Sequence, residues 1–167
     1  MLFQFTQDMR RVVTEQVLAY VATVCPDHTP NLSAQGTLGV FDDSRLIFAD
    51  LKSPQTVTNL RFNPVAEVTV VDPYVRRGYR FKGRAEIYSA GPAFDRLMRF
   101  YTGIWLDVGR KPPADDIRNI VLVNVERALA IVAPAYQRGE DEIEIAAKWE
   151  KYYQSVLHKR RSAIMEQ

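Results

Sequence analysis

Residues 46–64 read LIFADLKSPQTVTNLRFNP and place a strand and a helix in immediate succession. Asp42-Asp43-Ser44 is typical of a turn, and it leads into a predicted strand over residues 45–50. Ser53-Pro54 is a helix-start signal, with a hydroxyl at the N-cap and proline at the first helical position. Asn63-Pro64 ends the helix, because a residue that precedes proline is disfavoured in the helical conformation. We therefore predict a strand that leads within a few residues into a short helix.

Strands are predicted on both sides of this helix. Before it, residues 17–24 and 31–41 join the strand at 45–50 in two successive hairpins, which predicts an antiparallel meander. After it, strands are predicted over residues 66–71 and 79–88, and over 120–132 as one interrupted strand or two short ones. Apolar residues at helical spacing predict an N-terminal helix, a helix that opens near residue 89, and a last helix over about 141–161.

These elements predict a mainly β fold with helices, a small antiparallel barrel of six to seven strands. We expect a single domain over residues 1–167, with the barrel at about 17–132 and a C-terminal helical extension after it. No charged lead followed by a long apolar run is visible at the N-terminus, so a cytoplasmic protein is the simplest expectation.

Composition excludes several classes of chemistry. The chain has 167 residues, one cysteine, two histidines and a formal net charge of +2. A single cysteine forms no internal disulfide, and His28 and His158 lie among polar neighbours at opposite ends of the chain. No metal site and no side-chain nucleophile are expected, so in an enzyme of this composition a cofactor would carry out the reaction. The balanced charge argues against a nucleic-acid partner.

The predicted helix start is a candidate anion site. A helix N-terminus exposes unpaired amide groups and the positive end of the helix dipole. Its first turn carries no Asp or Glu, and polar side chains surround it instead: Lys52, Ser53, Gln55, Thr56 and Asn59. Two readings stay open, a site for an external anion such as phosphate and an ordinary Ser-Pro helix cap with polar neighbours.

A basic run lies further along, at residues 76–84. In a strand Arg80, Lys82 and Arg84 share one face, and like charges on one face repel unless an acidic or anionic group is near. One reading is a solvated outer face with a partner such as Glu67 on the adjacent strand. The others are a phosphate-bearing ligand and, against the balance of charge, a nucleic acid.

Four segments together resemble the pyridoxamine 5′-phosphate oxidase-like family. They are PNLSAQGTL at residues 30–38, LIFAD at 46–50, SPQTVTNLRFNP at 53–64 and GYRFKGRAE at 78–86. The resemblance implies a split β-barrel homodimer that binds FMN at the subunit interface. It also implies a flavin-dependent oxidoreductase with a small-molecule substrate or electron acceptor. The alternative is a non-catalytic flavin-, deazaflavin- or haem-binding module.

Carried over by position, the resemblance implies a set of cofactor-binding residues and no protein-borne catalytic residue. The set is Ser33, Ala34, Gln35, Gly36, Ala49, Asp50, Lys52, Ser53, Gln55, Thr56, Asn59, Arg80 and Lys82. Residues 33–36 would follow the flavin and its ribityl chain, and the helix start would surround the phosphate. Gly78 would approach the cofactor, and Trp105 would reach it from the second subunit.

The chain also departs from the family pattern. The oxidase proper carries an Arg-Lys pair where Gln55-Thr56 stands here. Phosphate affinity is therefore expected to depend on backbone amides and on Lys52, Arg80 or Lys82. The oxidase's C-terminal substrate-binding residues have no counterpart in this chain, so a different substrate is expected.

Overall fold

One antiparallel sheet organises the chain. The computed structural model describes residues 3–107, 109, 111 and 116–165, and in them it has seven strands and five helices. The strands are β1 (Ala19–Val24), β2 (Pro30–Gln35), β3 (Gly39–Val40), β4 (Arg45–Asp50), β5 (Val65–Asp72), β6 (Arg77–Tyr88) and β7 (Asn119–Val132). The helices are α1 (Gln7–Gln16), α2 (Pro54–Phe62), α3 (Gly91–Asp107), α4 (Pro134–Gln137) and α5 (Glu142–Met165).

The strand order is β2-β1-β5-β6-β7-β4-β3, so strands consecutive in sequence, β2 and β3, lie at opposite edges of the sheet. A flat sheet of this size would separate its edges by about 29 Å, at about 4.8 Å per strand. The four peptide steps from Gln35 to Gly39 span at most about 15 Å. The sheet therefore curls into a half-barrel, which confirms the predicted mainly β split barrel.

The single strand predicted over residues 31–41 is wrong. It is two strands, β2 and β3, separated by residues 36–38. Both predicted hairpins are present, as β1–β2 and β3–β4, but they do not form one meander, because β2 pairs only with β1 and β4 pairs with β3 and β7. Apolar and small residues continue through this stretch, so periodicity alone gives no sign of the break.

The half-barrel encloses the main core on its concave side. Helix α1 lies there and buries Val12 and Val13 against Val21, Val68 and Phe81. Helix α2 closes the same side and contributes Leu60. Burial of such side chains contributes about 1.5–3 kcal/mol each.

A second core lies on the convex side of β4 and β7. Helix α3 packs Leu97, Tyr101 and Trp105 there, against Ile47 and Ile120. Because β4 is covered on both faces, every residue from Leu46 to Asp50 is buried. The Tyr101 hydroxyl donates to the Thr37 carbonyl at 2.8 Å, and burial raises the pKa of this phenol.

The C-terminal extension is helical, with the short helix α4 leading into the 24-residue helix α5. The first half of α5 meets the barrel through Ile145, through Trp149, over which Arg76 lies, through the ring contact of Tyr153 with Tyr74, and through the ion pair of Glu142 with Arg77. Across the described part of the chain, no helix combines the length and the apolarity that a bilayer crossing requires.

Candidate functional site

A cavity of 380 Å³ lies where β2 ends beside the start of α2. Its lining consists of Ala34, Gln35, Gly36, Leu51, Lys52, Ser53 and Asp116. The structure thus brings together five of the predicted cofactor-binding residues. Leu51 and Asp116 were not predicted, since neither residue type carries a recognisable binding signal at its position.

Hydrogen bonds join β2 to α2 at the wall of this cavity. The Gln35 side-chain amide donates to the hydroxyls of Ser33, at 3.0 Å, and Ser53, at 3.2 Å. The Thr56 hydroxyl donates to the Ser33 hydroxyl at 2.8 Å. Alternation along β2 sends Ser33 and Gln35 to the same face, where α2 lies. The network holds the polar side chains of the two elements in one arrangement.

Two predicted binding residues lie behind the wall rather than on it. Thr56 is 1% exposed and Asn59 is fully buried. The Asn59 amide donates to the Thr23 hydroxyl at 3.0 Å and reaches Cys25 Sγ at 3.4 Å, and its oxygen accepts from Gln55 at 2.7 Å. These side chains are paired within the protein and connect α2 to β1 and β2, and their role as cofactor contacts stays a prediction.

The helix N-terminus has an internal anion. Asp50 is 5% exposed, and its carboxylate accepts the Ser53 backbone N–H at 3.0 Å and the Asn119 amide at 3.0 Å. The Ser53 hydroxyl makes no N-cap bond and instead lies 3.4 Å from the same carboxylate. Asp50, three residues before the N-cap Ser53, thus places a negative charge at the helix start, where acids of the first turn usually place it.

Lys52 supplies the positive charge of the cavity lining. It is exposed, and it makes no ion pair with another described residue. Asp116 is the acidic residue in the lining. An ammonium group without a carboxylate partner is free to meet an anionic ligand at the start of α2.

Arg80 and Lys82 lie elsewhere, on the convex face of the sheet. Both bind Glu67 on β5, at 2.5 Å and 3.0 Å, and Arg84 pairs with Glu126 at 3.5 Å. The hydrogen bond from Arg80 holds the pKa of Glu67 below its usual value. These ion pairs offset the repulsion between the like charges of the basic run, as expected for a solvated outer face. The role of Arg80 and Lys82 as cofactor contacts stays a prediction.

At three further predicted positions, packing within the chain accounts for the residue that is present. Ala49 is buried under α3, and Trp105 is 7% exposed in the same core of its own chain. A side chain at Gly78 would collide with the Val70 carbonyl on the neighbouring strand, so close pairing of β5 and β6 accounts for this glycine.

The convex face of β2, β1, β5 and β6 is open among the described residues. Apolar side chains on it are at least 37% exposed: Tyr20, Leu32, Val65, Val71 and, on β7, Leu129. Ala34 shares this face and also lines the cavity. The cavity thus adjoins a surface on which exposed apolar side chains lie beside the ion pairs of Glu67 with Arg80 and Lys82, and exposed apolar side chains are typical of interaction sites.

The sequence profile of the pyridoxamine 5′-phosphate oxidase family matches residues 5–131. The chain belongs to this family. The match includes β1 to β7 almost completely, with the cavity and the α2 network, and it ends before α4 and α5. The resemblance found in the four sequence segments is thereby confirmed. No curated protein sequence matches the chain significantly.

Solved structures share the fold. HupZ of Group A Streptococcus is 28% identical, with a TM-score of 0.63 over 75% of this chain and 93% of HupZ. An F420 reductase is 22% identical, with a TM-score of 0.58 over 75% of this chain and 98% of its own. An FMN-binding protein from Syntrophomonas wolfei is 15% identical, with a TM-score of 0.59 over 75% and 84%. The last two are evidence of the fold alone.

Proposed function

We propose that the protein binds FMN in the cavity at the start of α2 and acts as a flavin-dependent oxidoreductase. The observation that carries the proposal is this cavity, lined by Gln35, Lys52 and Ser53, in a chain of the oxidase family. Its 380 Å³ falls within the range of small-molecule sites, about 300–1,000 Å³.

The side chains of the cavity suit a ligand that ends in a phosphate. Lys52 offers an unpaired ammonium, and the Ser53 hydroxyl, 3.4 Å from Asp50, is free to turn toward a phosphate oxygen. Gln35 holds Ser53 in place. Bound flavin would supply hydride or electron transfer, and this chain's residues would bind and orient it.

We also propose a homodimer in which the convex face is buried and the cofactor lies at the interface. The exposed apolar side chains of Tyr20 and Leu32 on this face adjoin Ala34 at the cavity. A stable interface buries about 800 Å² per partner, and the open face extends over four neighbouring strands, β2, β1, β5 and β6.

Replacing Lys52 with glutamine is expected to weaken FMN binding about 10-fold or more, because a charge-assisted hydrogen bond contributes about 1.5–3 kcal/mol. Riboflavin lacks the phosphate, so its affinity should change less than about twofold. Fluorescence quenching of each flavin measures both constants. Lys151→Gln, at an exposed position of α5, is the matched control. Equal losses for both flavins would contradict the phosphate assignment, and no binding of either would contradict the proposed function.

Catalysis is tested separately from binding. NAD(P)H should reduce the flavin of the loaded protein, and an added acceptor should reoxidise it over repeated cycles, followed by the absorbance of oxidised flavin. Binding without turnover would favour the non-catalytic module. The visible spectrum of the protein as purified distinguishes flavin from deazaflavin and haem.

The dimer makes its own prediction. Leu32→Asp places a charge on the convex face at a side chain that is 66% exposed, so the fold should tolerate it. The proposed interface should not tolerate this aspartate, because burial of an unpaired charge is unfavourable in free energy. Light scattering is expected to report a dimer for the unaltered protein and a monomer for the variant. Leu106→Asp, on the exposed side of α3, should stay dimeric. A monomer without any substitution would contradict the proposal.

A further inference from the structure

A second and larger cavity, of 580 Å³, lies between the barrel and the C-terminal helices. It is lined by Arg76, Ala133, Pro134, Ala135, Arg138, Glu140, Ile145, Lys148, Trp149 and Tyr152. None of these residues lines the cavity at α2, and all except Arg76 lie beyond the family match at residues 5–131. This cavity therefore belongs to the extension of this chain rather than to the shared barrel.

One part of the lining is apolar and aromatic. Ile145 is 1% exposed, and the turn into α4 adds two alanines and a proline. Trp149 and Tyr152 pack edge to face with ring centres 5.4 Å apart, and Tyr152 is still 53% exposed. Aromatic side chains that stay accessible beside a cavity offer stacking and edge contacts to another ring.

The charged part of the lining has an excess of cations. Arg138 and Lys148 share one carboxylate, that of Glu140, at 3.3 Å and 2.5 Å. Arg76 has no carboxylate partner among the described residues. The lining thus contains three cations, Arg76, Arg138 and Lys148, and one acid, Glu140, which gives a net charge of +2. An anionic ligand would find charge there that the protein leaves uncompensated.

The Arg76 guanidinium is held in place by its backbone and by an aromatic ring. Its φ is 56°, in the left-handed region that non-glycine residues rarely adopt. Its N–H donates to the Asp72 carbonyl at 2.9 Å, and its carbonyl accepts from Ala133 at 3.1 Å. Its Cζ lies 3.9 Å from the centre of the Trp149 ring. A strained residue held by several contacts is a common feature of binding sites.

We propose that this cavity binds a small aromatic carboxylic acid. Arg76 would bind the carboxylate, with Lys148 adding positive charge, and Trp149 and Tyr152 would contact the ring. A purely structural cation–π contact between Arg76 and Trp149 would explain the docking of α5. It would leave the open volume and the unpaired charge unexplained. The proposal is independent of flavin, since the two cavities share no lining residue.

Isothermal titration of the full chain with 2-naphthoate tests the proposal. We expect one site per chain, with at least about 10-fold weaker binding of 2-naphthylmethylammonium, which has a ring of the same size and the opposite charge. The affinity for 2-naphthoate should be the same with and without saturating FMN. Arg76→Gln should weaken it about 10-fold or more, and Lys148→Gln several-fold.

Arg77→Gln is the matched control, because Arg77 is the next residue and pairs with Glu142 outside the lining. It should leave the affinity unchanged. Thermal unfolding of each variant distinguishes the loss of a ligand contact from the loss of α5 docking. Lys148 is exposed, so its replacement should leave α5 docked. Three results would each overturn the proposal. The first is equal affinity for 2-naphthoate and 2-naphthylmethylammonium, and the second is unweakened binding of 2-naphthoate by both Arg76→Gln and Lys148→Gln. The third is no binding of 2-naphthoate at about 1 mM.

Discussion

Replacing Asp50 with asparagine is expected to lower the free energy of unfolding by about 1–3 kcal/mol and, at the same time, to tighten FMN binding at least about threefold. The two effects have opposite signs because one carboxylate serves the fold and opposes the ligand. In the folded chain it accepts the Ser53 N–H and the Asn119 amide at 3.0 Å each. An asparagine amide would face the Asn119 amide as a second donor, which leaves a buried group unsatisfied.

The gain in affinity follows from charge. A phosphate bound at Ser53 would lie within a few ångströms of the Asp50 carboxylate, and like charges at about 4 Å repel by about 1–4 kcal/mol in a wet site. Chemical denaturation measures the first effect and flavin fluorescence the second. Asp43→Asn, at a surface carboxylate paired with Arg10, should change neither by much. A destabilised variant with unchanged affinity for FMN would mean that the phosphate lies away from α2.

Tyr101→Ala is expected to destabilise the protein by about 3–5 kcal/mol, the usual loss for a large buried aromatic side chain. Tyr101 is 1% exposed between α3 and the sheet, so its removal leaves a cavity in the second core. It also removes the hydrogen bond to the Thr37 carbonyl, which fixes the connection from β2 to β3. Gly36 of the α2 cavity lies on that connection, so flavin affinity should fall as well.

Two comparisons separate these contributions. Tyr101→Phe keeps the ring and should cost only about 1 kcal/mol, the net value of one hydrogen bond. Leu106→Ala removes a side chain that is 61% exposed on the same helix and should cost less than about 0.5 kcal/mol. Urea midpoints followed by circular dichroism give all three values. A Tyr101→Ala variant as stable as Leu106→Ala would mean that α3 contributes little to the core.

Local signals predicted the elements on which the site is built. The proline after Ser53 and the proline after Asn63 mark the ends of α2, and the strand predicted at 45–50 is β4 with the same limits. These signals work because proline and continuous burial act within a few residues. Lys52 and Ser53, predicted at the helix start, line the cavity there, and the anion site itself stays a prediction.

What the sequence did not predict depends on contacts between distant residues. Thr56 and Asn59 were predicted to face an anion, yet Ser33 and Thr23, from strands remote in sequence, engage them. Asp50 was predicted as a cofactor-binding residue, and only the fold shows that its carboxylate lies at the helix start. Glu67 was one possible partner for the basic run. The register between β5 and β6 places it opposite Lys82 and close to Arg80, and it pairs with both.

The short connection at residues 36–38 has a consequence for folding kinetics. It ties together two hairpins, β1–β2 and β3–β4, that belong to opposite edges of the sheet. Each hairpin can form early, but neither finds its other neighbour until β5 and β7 have been brought in from 45 or more residues away. Pairings so remote in sequence carry a high contact order and fold slowly, on a scale of about milliseconds to seconds.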